Sequence, residues 1–130
     1  MRTGFAFHVH HDVLVELCFD YDERVRYIRE FMPAAQRGLR LRLFNLIPPD
    51  RLPAPLLKAG KAYLRAKQNF GKSGQNYGMS VRTYIKVRVA CNEAMRACMP
   101  QLEALHKELC PDCPWDGETI FPPGEKEIDG

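Results

Sequence analysis

Ala62-Tyr63-Leu64-Arg65-Ala66-Lys67-Gln68, Asn69-Phe70-Gly71-Lys72-Ser73-Gly74-Gln75 and Asn76-Tyr77-Gly78-Met79-Ser80-Val81-Arg82 are three successive seven-residue blocks with one pattern. Read outward at the same interval, Leu56, Tyr63, Phe70, Tyr77, Tyr84, Cys91, Cys98 and Leu105 are all apolar or aromatic. Three residues after each comes Ala59, Ala66, Ser73, Ser80, Val87, Ala94 and then Gln101, mostly small. A heptad with apolar a and small d positions is the seam of a coiled coil whose helices approach closely.

Two geometries satisfy the repeat. An unbroken helix of this length would reach roughly 75 Å and would need a partner chain to bury its seam. Gly71, Gly74 and Gly78, with Ser73 and Asn76, instead favour a turn near the middle. A turn there produces an antiparallel helical hairpin that buries its own stripe, and this is the arrangement we expect. Val81 to Val89 alternates like a strand, but the heptad runs through it into Ala90–Arg96, so it is read as helix.

The remaining sequence sets bounds. A chain of 130 residues suits one domain, with residues 1–50, 51–109 and 110–130 as its hairpin-and-short-helix, heptad and C-terminal parts. The opening lacks the apolar core of a signal peptide, and no run is long enough to span a membrane. The five cysteines therefore point to reduced thiols or metal ligands in a cytoplasm, with Cys91 and Cys98 as buried seam residues.

The net charge of +3 conceals a strong division: −4 over residues 1–23, +13 over 24–88 and −6 over 89–130. Between Arg51 and Asn92 there is no acidic residue. Solvated coiled-coil faces normally interleave Glu with Lys. Here Lys58, Arg65, Lys72 and Lys86 share heptad position c, with Lys61 and Arg82 beside them at f. Such a stripe can contact phosphates, or it can meet the chain's own acidic ends.

Phe5–His10 and Val13–Phe19 read as two strands of a β-hairpin, which places His8 and His10 on one face. Asp20 is a candidate N-cap for a helix burying Val25, Ile28, Phe31 and Met32, ended by Pro33. Leu39–Phe44 alternates like a strand, but Leu39, Leu43 and Leu46 fit a helical face, and helix is expected. Pro100 should kink or restart the last helix, and Thr119–Phe121 is a candidate third strand. The fold class is thus α+β, mostly α: a small N-terminal β-hairpin with a long helical hairpin.

Cys110-Pro111-Asp112-Cys113 carries the sharpest chemistry. Two thiolates at this spacing bind one tetrahedral zinc ion, and His106 lies one helical turn before Cys110. His8 or His10 is the candidate fourth ligand, with Cys18 in reserve. A site filled by protein donors is structural, and it would join the N-terminal hairpin to the helical region. The alternative is a reduced Cys pair beside hydrogen-bonded histidines. His8-Val9-His10-His11-Asp12 lacks the spacing and the second ligand cluster of a binuclear hydrolase.

The Phe7–Glu16 opening, the Tyr21–Val25 helix start, the Leu39–Phe44 run and the His106–Phe121 tail together resemble a family of small proteins from bacteriophages, prophages and gut metagenomes. Many of these carry a central array of alanine- and tyrosine-rich heptads, from which this chain departs by its glycines. The resemblance implies a phage origin and an architecture but no activity. Three classes follow. The first is a non-enzymatic binding or regulatory protein, such as an antagonist of host defence, engaging nucleic acid or a host nucleoprotein through the basic face. The second is a homodimeric assembly protein joined through the heptads, and the third a small metal-dependent enzyme using the N-terminal His/Asp/Glu group.

Overall fold

The structure is a computed structural model, described over residues 2–71 and 81–121. Three strands and five α-helices follow in the order β1 (Gly4–Phe7), β2 (Val15–Cys18), α1 (Tyr21–Phe31), α2 (Ala34–Leu43), β3 (Asn45–Leu46), α3 (Ala54–Gly71), α4 (Val81–Ala97) and α5 (Met99–Leu109). The chain forms two compact units, one from Met1–Pro48 with Glu103–Gly130, the other from Pro49–Leu102.

In the first unit β1 is the central strand of the order β2-β1-β3, antiparallel to both neighbours. Its register pairs Phe5 with Leu17 and Ala6 with Glu16 on one side, and Ala6 with Leu46 on the other. The third strand is therefore Asn45–Leu46. Thr119–Phe121, expected in that role, is not a strand; it is tied to the hairpin loop by Ile120 N–H donating to the His11 carbonyl at 3.0 Å. Two-residue β3 carries no readable alternation, so its pairing comes from the placement of α2 before it.

Helix α1 begins where Asp20 accepts the Glu23 amide at 3.1 Å, as its capping chemistry predicts. Pro33 occupies the N-cap of α2, where a missing N–H costs nothing. Leu39–Leu43 is helical, as the spacing of Leu39 and Leu43 requires. One cluster packs Ala6, Val9, Cys18, Ile28 and Phe44 together; a second gathers Leu43, Ile120 and Phe121 with Cys110, Cys113 and Trp115 at its margin.

In the second unit α3 and α4 form the two arms of the helical hairpin. The heptad seam lies inside it: Leu56, Ala66, Cys91 and Cys98 are buried, and the rings of Tyr63 and Tyr84 meet edge to face at 6.0 Å. Desolvation, with Tyr84 alongside, pushes the Tyr63 phenol up to about 12. The glycine-rich turn expected at Gly74 and Gly78 lies outside the described residues. Pro100 restarts the helix: α4 stops at Ala97 and Pro100 sits in the first turn of α5.

Candidate metal centre and basic helical face

Strand β1 stops at Phe7 because His8 turns to φ 52°, a left-handed backbone uncommon for a residue with a side chain. The loop that follows is closed by His8 N–H to the Leu14 carbonyl (3.0 Å) and Val13 N–H to the His10 carbonyl (3.3 Å). This turn drives the His8 ring into the protein. Its Nδ1 donates to the Val13 carbonyl at 3.1 Å, which leaves Nε2 as a lone-pair donor aimed inward.

The other ligands come from the end of α5. Cys110 N–H makes the last helical bond, to the His106 carbonyl at 2.8 Å, and Pro111 prevents another turn. Cys113 N–H then reaches back to the Cys110 carbonyl at 3.2 Å, giving a β-turn with proline at its favoured second position. Asp116 fixes the chain beyond, accepting the Glu118 and Thr119 amides at 2.9 and 2.8 Å. Gly117, at φ 98°, supplies the backbone that this turn needs.

These two turns bring His8, His106 and Cys113 together, their donor atoms within 4.8 Å of one another. His8 Nε2 lies 3.3 Å from His106 Nε2 and 3.4 Å from Cys113 Sγ. Both histidines are buried, His106 edge-on to Phe7 and His8 tilted against Trp115. Cys110 lies across the same turn from Cys113, but its sulfur is not among the donors drawn together within 4.8 Å. Burial, and then the neighbouring His106, lower the His8 pKa to about 4; burial also lowers that of His106. Desolvation, opposed by the Trp115 backbone and reinforced by Cys110, raises the Cys113 thiol to about 11. The imidazoles are thus neutral and ready to coordinate, and a cation in their midst would draw the thiol to thiolate. The cluster can hold a metal ion.

His10 is not part of it. The hairpin reading placed it on the face of His8, but the strand ends before either residue and the alternation no longer applies. His10 is exposed, with Nδ1 on the Glu16 carboxylate at 2.5 Å. The cluster also lies wholly within the sheet-bearing unit. It ties the β1–β2 loop to the end of α5, not to the arms of the helical hairpin. A cavity of about 420 Å³ adjoins it, lined by Leu14, Glu103, Lys107 and Trp115 together with His106, Cys110 and Cys113.

On the second unit Lys58, Lys61 and Arg65 of α3 and Arg82 and Lys86 of α4 are all exposed, and none is ion-paired among the described residues. Lys72 lies outside those residues. No described helix is long and apolar enough to cross a membrane. No protein-family model, curated protein or solved structure matches this chain.

Proposed function

We propose that this chain is a non-enzymatic binding protein of phage origin, held by a structural zinc ion, whose basic helical hairpin engages an anionic partner. The observation that carries the reading is the hairpin surface: five exposed cations, without an ion pair among the described residues, on a stretch without a single carboxylate. Unbalanced positive charge disfavours the compact state through self-repulsion. A role in recognition accounts for such a surface, and nucleic acid or a host nucleoprotein supplies the matching charge; antagonism of a host defence is one use of such contact.

Zinc accounts for the triad. Bond lengths of about 2.0–2.1 Å to nitrogen and about 2.3 Å to sulfur give tetrahedral edges of roughly 3.3 Å (N to N) and roughly 3.5 Å (N to S). The observed separations, 3.3 and 3.4 Å, are close to both. A mixed His/Cys donor set suits zinc over hard cations, and Cys110, across the same turn from Cys113, is the candidate fourth ligand. A site with four protein ligands is closed to substrate, which speaks against the metal-dependent enzyme despite the adjoining cavity. Self-association through the heptads finds less support, because the seam is buried between α3 and α4 of one chain.

The test is the affinity of the zinc-loaded chain for a labelled 20-base-pair duplex across a salt series. Contact with phosphates gives a log–log slope of about −0.9 for each one neutralised. Absent or salt-indifferent binding would overturn the nucleic-acid form of the proposal.

A further inference from the structure

Helix α4 carries two apolar rows, where a surface helix ordinarily needs one. Tyr84, Val87, Cys91 and Ala94 are its covered positions, on the seam of the hairpin. Val81, Ile85 and Val89 form the other row and are 53, 43 and 43 % exposed. Spaced four residues apart, they make one continuous line roughly 12 Å long, turned away from the seam. Arg88 flanks the line on one side, Arg82 and Lys86 on the other, and Arg96 stands beyond its end. All four cations are exposed, and none is ion-paired among the described residues. The first carboxylate of α4 is Glu93, one turn past the row. Single exposed apolar residues are ordinary, but a contiguous row of them marks a contact surface.

A four-residue ridge is the feature by which one helix packs into the groove of another, at a crossing of about −50°. Branched side chains suit that use, since their one preferred rotamer in a helix leaves little freedom to lose on docking. We propose that the Val81–Ile85–Val89 row docks an amphipathic helix of another protein whose apolar stripe is edged with Asp and Glu. Charge selects this occupant. A second copy would bring two sets of arginine and lysine flanks together. A duplex backbone would match the cations and leave the apolar row in water. Helices that lie in a bilayer surface insert Trp, Phe and Leu, and the row has none of these. The inference rests on the basic-face reading and adds to it a protein partner at α4.

Selection of a displayed library of three-heptad helical peptides on the full chain tests it, with a 20-base-pair duplex and phosphatidylserine vesicles as comparison probes. Winners should carry an apolar row at four-residue spacing with Asp or Glu on its flanks. The combined Val81→Thr, Ile85→Thr and Val89→Thr variant keeps β-branching, every charge and the seam. It should weaken the best synthesised peptide at least tenfold, leave duplex affinity within twofold and keep its helical circular-dichroism signal. The methyl signals of Val81, Ile85 and Val89 should shift as that peptide is titrated. Peptide affinity that ignores the threonine variant but falls when Lys58, Arg65 and Lys86 are reversed to Glu would overturn this proposal and leave the basic face standing. Peptide binding as expected without any duplex binding would support it and remove the nucleic-acid form of that reading. No binding by any anionic probe would overturn both. Winners without carboxylates, or duplex binding, vesicle binding or dimerisation that the threonine variant abolishes, would assign the row another occupant and overturn the proposal.

Discussion

His8 and His106 face each other through their Nε2 atoms at 3.3 Å although 98 positions separate them in the chain. Two neutral imidazoles at that distance can share at most one proton, which fits lone pairs brought together for an ion. Metal content is therefore the first consequence. Protein purified without added metal should hold about one zinc per chain. Cys110→Ser with Cys113→Ser should release it, and His10→Ala should not. Chelator should lower the melting midpoint by about 10 °C or more, since structural zinc contributes directly to folding. Elemental analysis with calorimetry checks both; zinc near zero and an unmoved midpoint would return the cluster to hydrogen-bonded histidines.

Stripped of metal, the protein should be most stable in a bounded pH window. His8 is held near 4 against an ordinary 6.5, so the unfolded chain takes up protons first as pH falls. That contribution is complete above about 6.5 and is lost as pH drops through about 4; after allowance for partial solvent screening it is on the order of 2 kcal/mol. Cys113 is raised from 9.0 to about 11, so its contribution is present below 9 and fades as pH climbs through 11. Urea midpoints measured from pH 4 to 11 should form a plateau between the two limits; a flat profile would refute this.

Reversing Lys58, Arg65 and Lys86 to Glu should remove duplex binding and leave the helical circular-dichroism signal in place, because all three are exposed and away from the seam. Affinity that survives the triple reversal would make the stripe a solvated face.

Phe44→Ala should cost about 3–5 kcal/mol. Phe44 is fully buried, its ring 4.5 Å from that of Tyr21, whose hydroxyl donates to the Phe44 carbonyl at 3.2 Å. Denaturant unfolding gives the figure, and a loss under 1 kcal/mol would contradict this packing.

Features whose cause is local were legible in the sequence. The heptads of Leu56–Cys98, the Asp20 cap, the Pro100 restart and the helical face of Leu39 and Leu43 follow from periodicity and backbone chemistry. The nearness of His106 and Cys113 could also be read there, from the turn that Pro111 imposes after the helix. What escaped depended on the loop at His8. A left-handed residue there breaks strand alternation, separating His8 from His10 and replacing the expected tight hairpin by a longer loop. No residue type announces this, since histidine only tolerates that conformation. The identity of β3 escaped because a two-residue strand has no period.

The sheet-bearing unit is assembled from two stretches of chain with the whole helical hairpin inserted between them. An ion bridging His8 and His106 would act topologically as a clasp on that long loop. Loop-closure entropy grows only with the logarithm of length, about 0.6 kcal/mol for each doubling. A further heptad in each arm, roughly 10 Å of added reach at 1.5 Å per residue, would thus barely tax the clasp. Arms lengthened by whole heptads should therefore leave the clasped unit unchanged. Matched one-heptad insertions into α3 and α4 with zinc affinity held within twofold would demonstrate that tolerance.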